Sequence, residues 1–276
     1  MRFKKLAVLL LCSFLSFSAL GEERPRLVVS INPLASILRE IVKADAELDT
    51  LVSARVDPHM FELRPAALKT LAHSDIFFTV GLGLEFWAKE LPLELRNKTV
   101  DFAKELGLKD GNPHIWLVPD TARNIAQIMK KHLCVQRPQQ CAEYAINLTR
   151  FEEGVMKLDR EIKETISHWQ QRAFISYHPA WELFAQQYGL QDAGSFKQGH
   201  SSEISIVDLK RLIDLAHKKQ VSVFFMEPGI DISQVQNFLK ESELRLVTVD
   251  DLGTPGEGYC DLMRRNVAAM DQGMRN

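Results

Sequence analysis

Between Ala142 and Gln171 the apolar residues Leu148, Phe151, Val155, Leu158, Ile162, Ile166 and Trp169 recur at steps of three and four. The positions between them are mostly Glu, Lys, Arg, Asn and Gln. That spacing lays one apolar face along an α-helix. Thirty residues at the helical rise span roughly 45 Å, more than a small domain needs for its own core. An ordinary long surface helix is the plainer expectation on base rates. A strut joining two lobes is the sharper one, because strand-and-helix patterns lie on both sides of it.

Before the strut, Leu27–Ile31, Leu48–Ala54, Asp75–Gly81 and Thr99–Ala103 read as strands. Helical patterns from Pro33 to Lys43, Pro65 to His73 and Asp120 to Leu133 alternate with them. After the strut come strands at Arg172–Tyr177, Val221–Met226 and Leu244–Val249, with helices at Ser205–Lys219 and Ser233–Ser242. Short strands alternating with helices imply βαβ units and parallel sheets. The expected architecture is therefore an α/β chain of two lobes with mainly parallel sheets, residues 22–141 and 172–276, bridged by a single long helix over 142–171. A rigid helix between lobes further implies small lobe movements.

Arg2, Lys4 and Lys5 precede the compact apolar run Leu6–Leu20, and Ala19-Leu20-Gly21 supplies small residues for cleavage. This is the pattern of a signal peptide over 1–21, and it implies an exported, periplasmic protein. Leu11 before Cys12 argues against a lipid anchor there. Export permits disulfides. Cys134 and Cys141 bracket a turn-like segment and form the expected pair, with a bridge of either to Cys260 left open by sequence. The 276 residues carry a formal net charge of −2, which points away from nucleic acid as a partner.

His59, His114 and His178 each stand beside a proline in a short loop next to a strand pattern, and Asp250 occupies a comparable strand end. A single loop histidine is ordinarily a surface residue. The recurrence of one device in both halves is what suggests convergence, because open α/β sheets bind ligands at the carboxyl ends of their strands. Three imidazoles and a carboxylate suit zinc and other first-row metals. His73, His132, His168 and His217 lie on helical patterns among polar neighbours and are expected to be solvated. His200 is a surface residue or a weak secondary ligand. Glu62 and Glu227 are placed either to orient a ligating imidazole or to pair with Arg64 or a lysine. Trp116 and Trp181 are expected to pack around the loops.

Asp57-Pro58-His59-Met60-Phe61-Glu62-Leu63-Arg64-Pro65, Asn112-Pro113-His114-Ile115-Trp116-Leu117 and Ile175-Ser176-Tyr177-His178-Pro179-Ala180-Trp181 resemble three signatures of one family. Ser205–Leu209, Val223–Pro228 and Val249–Gly253 extend the likeness in order along the chain. The family is that of the zinc and manganese solute-binding proteins of bacterial ABC transporters, of the ZnuA type. The resemblance implies a monomeric, non-enzymatic binding protein that holds Zn²⁺, with Mn²⁺ as the alternative, between its lobes and delivers it to an inner-membrane permease. It places the ligands at His59, His114, His178 and Asp250, with Asp251 standing where the family usually has proline. The His-rich loop of many zinc members is missing from Lys104–Pro113. Two other classes stay open: a metal-dependent hydrolase using Glu227 as base, and a binder of an organic ligand such as a siderophore.

Overall fold

The computed structural model describes residues 23–53, 56–197 and 204–275. The expected leader over 1–21 and His200 lie outside the described residues. The first lobe carries four strands, β1 (Arg26–Val29), β2 (Glu47–Thr50), β3 (Ile76–Thr79) and β4 (Thr99–Asp101), all parallel in the order β2-β1-β3-β4. Its helices are α1 (Asn32–Val42), α2 (Pro65–Ala72), α3 (Leu93–Asn97), α4 (Phe102–Glu105) and α5 (Pro119–Gln136). The long helix α6 (Cys141–Ser167) follows. The second lobe repeats the plan with β5 (Ala173–Ser176), β6 (Gln191–Ser195), β7 (Val223–Met226) and β8 (Arg245–Thr248), parallel in the order β6-β5-β7-β8. Its helices are α7 (Glu182–Tyr188), α8 (Ile206–Lys218), α9 (Gln236–Ser242) and α10 (Tyr259–Met274).

Composition explains the strand order. Every residue of β3, β5 and β7 is buried, as expected of inner parallel strands covered on both faces. The polar β2, Glu-Leu-Asp-Thr, forms an edge. At the start of α8 the Ser205 hydroxyl accepts the Asp208 N–H at 3.1 Å, the N-cap bond that serine favours at this position. The reciprocal half differs, because Asp208 takes a 2.7 Å bond from the Ser205 hydroxyl rather than from its backbone.

Helix α6 runs for 27 residues, about 40 Å. Tyr144, Asn147, Phe151, Val155, Leu158, Ile162 and Ile166 are buried along it, while Leu148 is only half-buried. It ends four residues before Gln171. Trp169 turns off the helix axis and donates its indole N–H to Asp271 in α10 at 2.7 Å. The strut packs on α1, α5 and α10. Buried side chains of both lobes, from Leu27 and Phe78 to Val223 and Val247, belong to one apolar cluster that also holds Trp116, Val155, Trp181 and Met270. Among the described residues, no helix is long and apolar enough to cross a membrane.

Cys134 and Cys141 are disulfide-bonded, with Cα atoms 4.7 Å apart, and Cys260 is free and half-buried. The bridge closes the corner between α5 and α6, where Arg137 donates to the Glu23 carbonyl at 2.8 Å and pairs with Asp45 at 3.6 Å. Closing an eight-residue loop stabilises the fold by about 2.5 kcal/mol on the chain-entropy estimate. Replacing both cysteines by serine is therefore expected to lower the free energy of unfolding by about that amount in urea titrations. An unchanged midpoint would refute the estimate.

Candidate metal centre

Each of the three motif histidines sits in, or immediately before, a short helical turn beyond a strand. Proline fixes φ at the start of the turns that begin at Pro58 and Pro179. His59 lies in the 3-10 turn Pro58–Met60 after β2, and its N–H is accepted by the Asp57 carboxylate at 2.9 Å. His114 precedes the turn Ile115–Leu117, after β4 and α4. His178 precedes the turn Pro179–Trp181 directly after β5. The carboxyl edges of both sheets thus supply one cluster. Nε2 of His114 lies 3.4 Å from Nε2 of His59 and 3.2 Å from Nε2 of His178. His59 and His114 are buried, and His178 is the most open of the three.

Nitrogen ligands about 2.0–2.1 Å from a tetrahedral zinc stand about 3.3–3.4 Å from one another. The separations of 3.4 and 3.2 Å lie within about 0.1 Å of that spacing. Among the described residues these three histidines are the group of potential ligands close enough to share one ion.

Hydrogen bonds on the far ring nitrogens aim the imidazoles. Nδ1 of His114 lies 2.6 Å from the side-chain oxygen of Asn112, which only accepts, so a neutral His114 donates Nδ1–H there and carries its lone pair on Nε2. The Glu227 carboxylate lies 2.8 Å from Nδ1 of His178. Of the two roles expected for Glu227, the structure favours orienting an imidazole, whereas Glu62 is exposed. Burial disfavours a charged His178, but Glu227, helped by Asp251 and Asp57, carries its pKa up to about 9.

The structure brings Asp251 rather than Asp250 to the cluster. Both oxygens of Asp250 are engaged elsewhere: Oδ1 accepts the N–H groups of Leu252 and Gly253 at 3.1 and 2.8 Å, and Oδ2 pairs with Arg265 at 2.9 Å. Its backbone is held on both sides by Asn266, at 2.6 and 2.7 Å. Asp250 therefore builds the turn, and the next residue projects inward. Asp251 Oδ2 stands 4.0 Å from Nε2 of both His114 and His178. Burial, with Glu227 and Asp250 nearby, pushes the Asp251 carboxyl upward against the pull of His178. The spacing Val249-Asp250-Asp251-Leu252 does not reveal this exchange of roles, since both aspartates follow the strand.

Trp116 and Trp181 are fully buried, as their expected packing role requires. Trp116 also does something the motif did not announce: its indole N–H donates to the Asp251 carbonyl at 2.8 Å, and its own carbonyl accepts the Tyr259 hydroxyl at 2.9 Å. His73, His168 and His217 are exposed as expected. His132 is not fully solvated, being half-buried 3.5 Å from Glu105.

Two parallel α/β lobes on one long helix, with a buried cluster where their carboxyl edges meet, define the class: a solute-binding protein of the helix-bridged kind. More particularly, the chain belongs to the ZnuA family, described as zinc-uptake complex component A, periplasmic, whose profile matches residues 27–273. It is 27% identical over 254 residues to a Thermotoga maritima protein named for metal binding, covering 90% of this chain and 92% of that one. It is 23% identical over 265 residues to the manganese-binding lipoprotein MntA of Halalkalibacterium halodurans, covering 90% of this chain and 88% of the relative. A crystal structure of a ZnuA deletion mutant with zinc bound matches with a TM-score of 0.78 at 26% identity, over 91% of this chain and 96% of that one.

Proposed function

We propose that this chain is the periplasmic binding component of an ABC transporter, which captures zinc at His59, His114 and His178 and passes it to a membrane permease. Lobes 22–141 and 172–276 would hold the ion between them, with Asp251 as the fourth ligand. The observation that carries this reading is the pair of Nε2 separations, 3.4 Å within the first lobe and 3.2 Å between the lobes. Relatives named for zinc and for manganese leave the ion to be argued from the donor set. Three imidazoles and one carboxylate form a nitrogen-rich set that suits zinc, whereas manganese favours oxygen. A hydrolase would need Glu227 facing a bound water, and Glu227 instead lies against His178 Nδ1. A siderophore would not call for the histidines to converge.

Elemental analysis and competition titration test the proposal. One zinc per chain is expected, bound more tightly than manganese. Manganese binding as tightly as zinc would overturn the metal choice.

The same titration has a pH signature. An ordinary imidazole, at about 6.5, would stop competing with metal above neutrality. With the His178 pKa carried up to about 9, zinc must displace a proton from it throughout the range below. Affinity is expected to climb between about pH 6.5 and 9, by up to tenfold per pH unit for this one proton. The sign for the metal-free fold is opposite. A raised folded pKa stabilises the chain fully below the unfolded value near 6.5, and that contribution disappears as pH rises through about 9. Zinc affinity flat across that window would refute a titrating His178 ligand.

A further inference from the structure

The loop that carries His114 is tied to the second lobe by one amide side chain. Asn112 Oδ1 accepts two bonds from His114, from Nδ1–H at 2.6 Å and from the backbone N–H at 3.0 Å. Asn112 Nδ2 donates two bonds across the lobe boundary, to the Pro179 carbonyl at 2.6 Å and to the Glu182 carboxylate at 3.0 Å. The chemistry fixes both ends. A carbonyl and a carboxylate only accept, so the amide nitrogen must face them, and the amide oxygen is then left to face His114. Pro179 directly follows His178, and Glu182 opens α7 in the same turn.

We infer that Asn112 is a positioning residue that sets the zinc site by joining two ligands from different lobes. One end holds His114 as the Nδ1–H tautomer with Nε2 turned toward His59 and His178. The other end fixes the turn that carries His178. Aspartate could serve the first task but not the second, since its carboxylate would meet the Glu182 carboxylate and the Pro179 carbonyl with no proton to share. Asparagine is the residue that does both. This role rests on the zinc-site reading and adds a residue to it.

The test uses the full chain with zinc in chelator competition, and with Co²⁺ as a visible-absorption reporter of ligand geometry. Asn112→Ala removes both ends and is expected to weaken zinc binding by about 10–100-fold, the usual cost of losing a partner that orients a ligand. Asn112→Asp keeps the acceptor for His114 and loses the tie, so it should weaken zinc by about tenfold while keeping the wild-type Co²⁺ band. Adding Glu182→Gln to Asn112→Asp supplies an amide donor opposite the new carboxylate and should recover most of that loss. A merely structural Asn112 would show losses that add instead of cancelling.

Wild-type affinity in Asn112→Asp, or no recovery in the double variant, would overturn the cross-lobe role. ¹⁵N NMR of the metal-free protein checks the other end separately. His114 should be the Nδ1–H tautomer in wild type and redistribute toward Nε2–H in Asn112→Ala. An unchanged tautomer would overturn the orienting role. A wild-type chain that takes up no zinc would instead sink the proposed function, and the tautomer measurement would still decide whether Asn112 orients His114.

Discussion

His114→Ala is expected to abolish tight zinc binding, weakening it by two to three powers of ten. His114 is the middle member of the cluster, since its Nε2 lies within 3.4 Å of both other imidazoles. Structural zinc sites bind with apparent free energies of about 10–16 kcal/mol. Shared over four ligands, that is about 2.5–4 kcal/mol each, and each 1.4 kcal/mol is roughly tenfold in Kd. The comparison of the two aspartates sharpens the result. Asp251→Ala should lose zinc affinity with little change in the metal-free fold, whereas Asp250→Ala should cost stability, because it frees two buried N–H groups and leaves Arg265 without one partner. Chelator competition on the three variants decides it. Tight binding retained by His114→Ala would remove the three-histidine site altogether.

The largest loss of stability is expected from Trp116→Ala. Trp116 is fully buried within the cluster shared by both lobes, and truncating such a side chain typically costs about 3–5 kcal/mol. The Asp251 carbonyl would also lose its indole donor, for roughly a further 1–3 kcal/mol. At about 2–4 °C per kcal/mol for a chain of this size, the metal-free Tm should fall by roughly 8–30 °C. Trp116→Phe keeps most of the packing and drops only the N–H. It should unfold closer to wild type and still bind zinc less tightly, because the Asp251 turn loses its anchor. A Tm within a degree or two of wild type for the alanine variant would contradict the shared core.

Much of this arrangement was legible in the residues, for reasons of period. The stripe Phe151, Val155, Leu158, Ile162 and Ile166 keeps helical spacing over several turns, so α6 was readable with only its last turn misplaced. The inner strands were readable because parallel strands covered on both faces show unbroken apolar runs. Helix α10 was missed. Its buried stripe includes Asn266 and Gly273, which break an apolar count, yet both are required. Asn266 grips the Asp250 backbone, and a Cβ on Gly273 would lie 2.7 Å from Val247. Edge strand β6, Gln-Asp-Ala-Gly-Ser, carries no strand-forming residues and is defined by its pairing with β5. At the site, motif position located the histidines. It did not distinguish Asp250 from Asp251, because that choice depends on Arg265 and Asn266, which lie 15 and 16 residues further along.

The continuous apolar interior has a consequence for traffic of the ion. Parting the lobes like a jaw would drag Trp116, Trp181 and the inner face of α6 into water together, and every Å² of apolar surface so exposed costs about 25 cal/mol. Entry and exit then fall to the rim turn at residues 56–60, which lies outside that interior and can shift without unzipping it. Loop motions run on nanosecond-to-microsecond times, domain hinging on microseconds to milliseconds. On the proposed function, retention of the cargo is a property of the bonds that hold that turn still, and that turn is what a permease would pry.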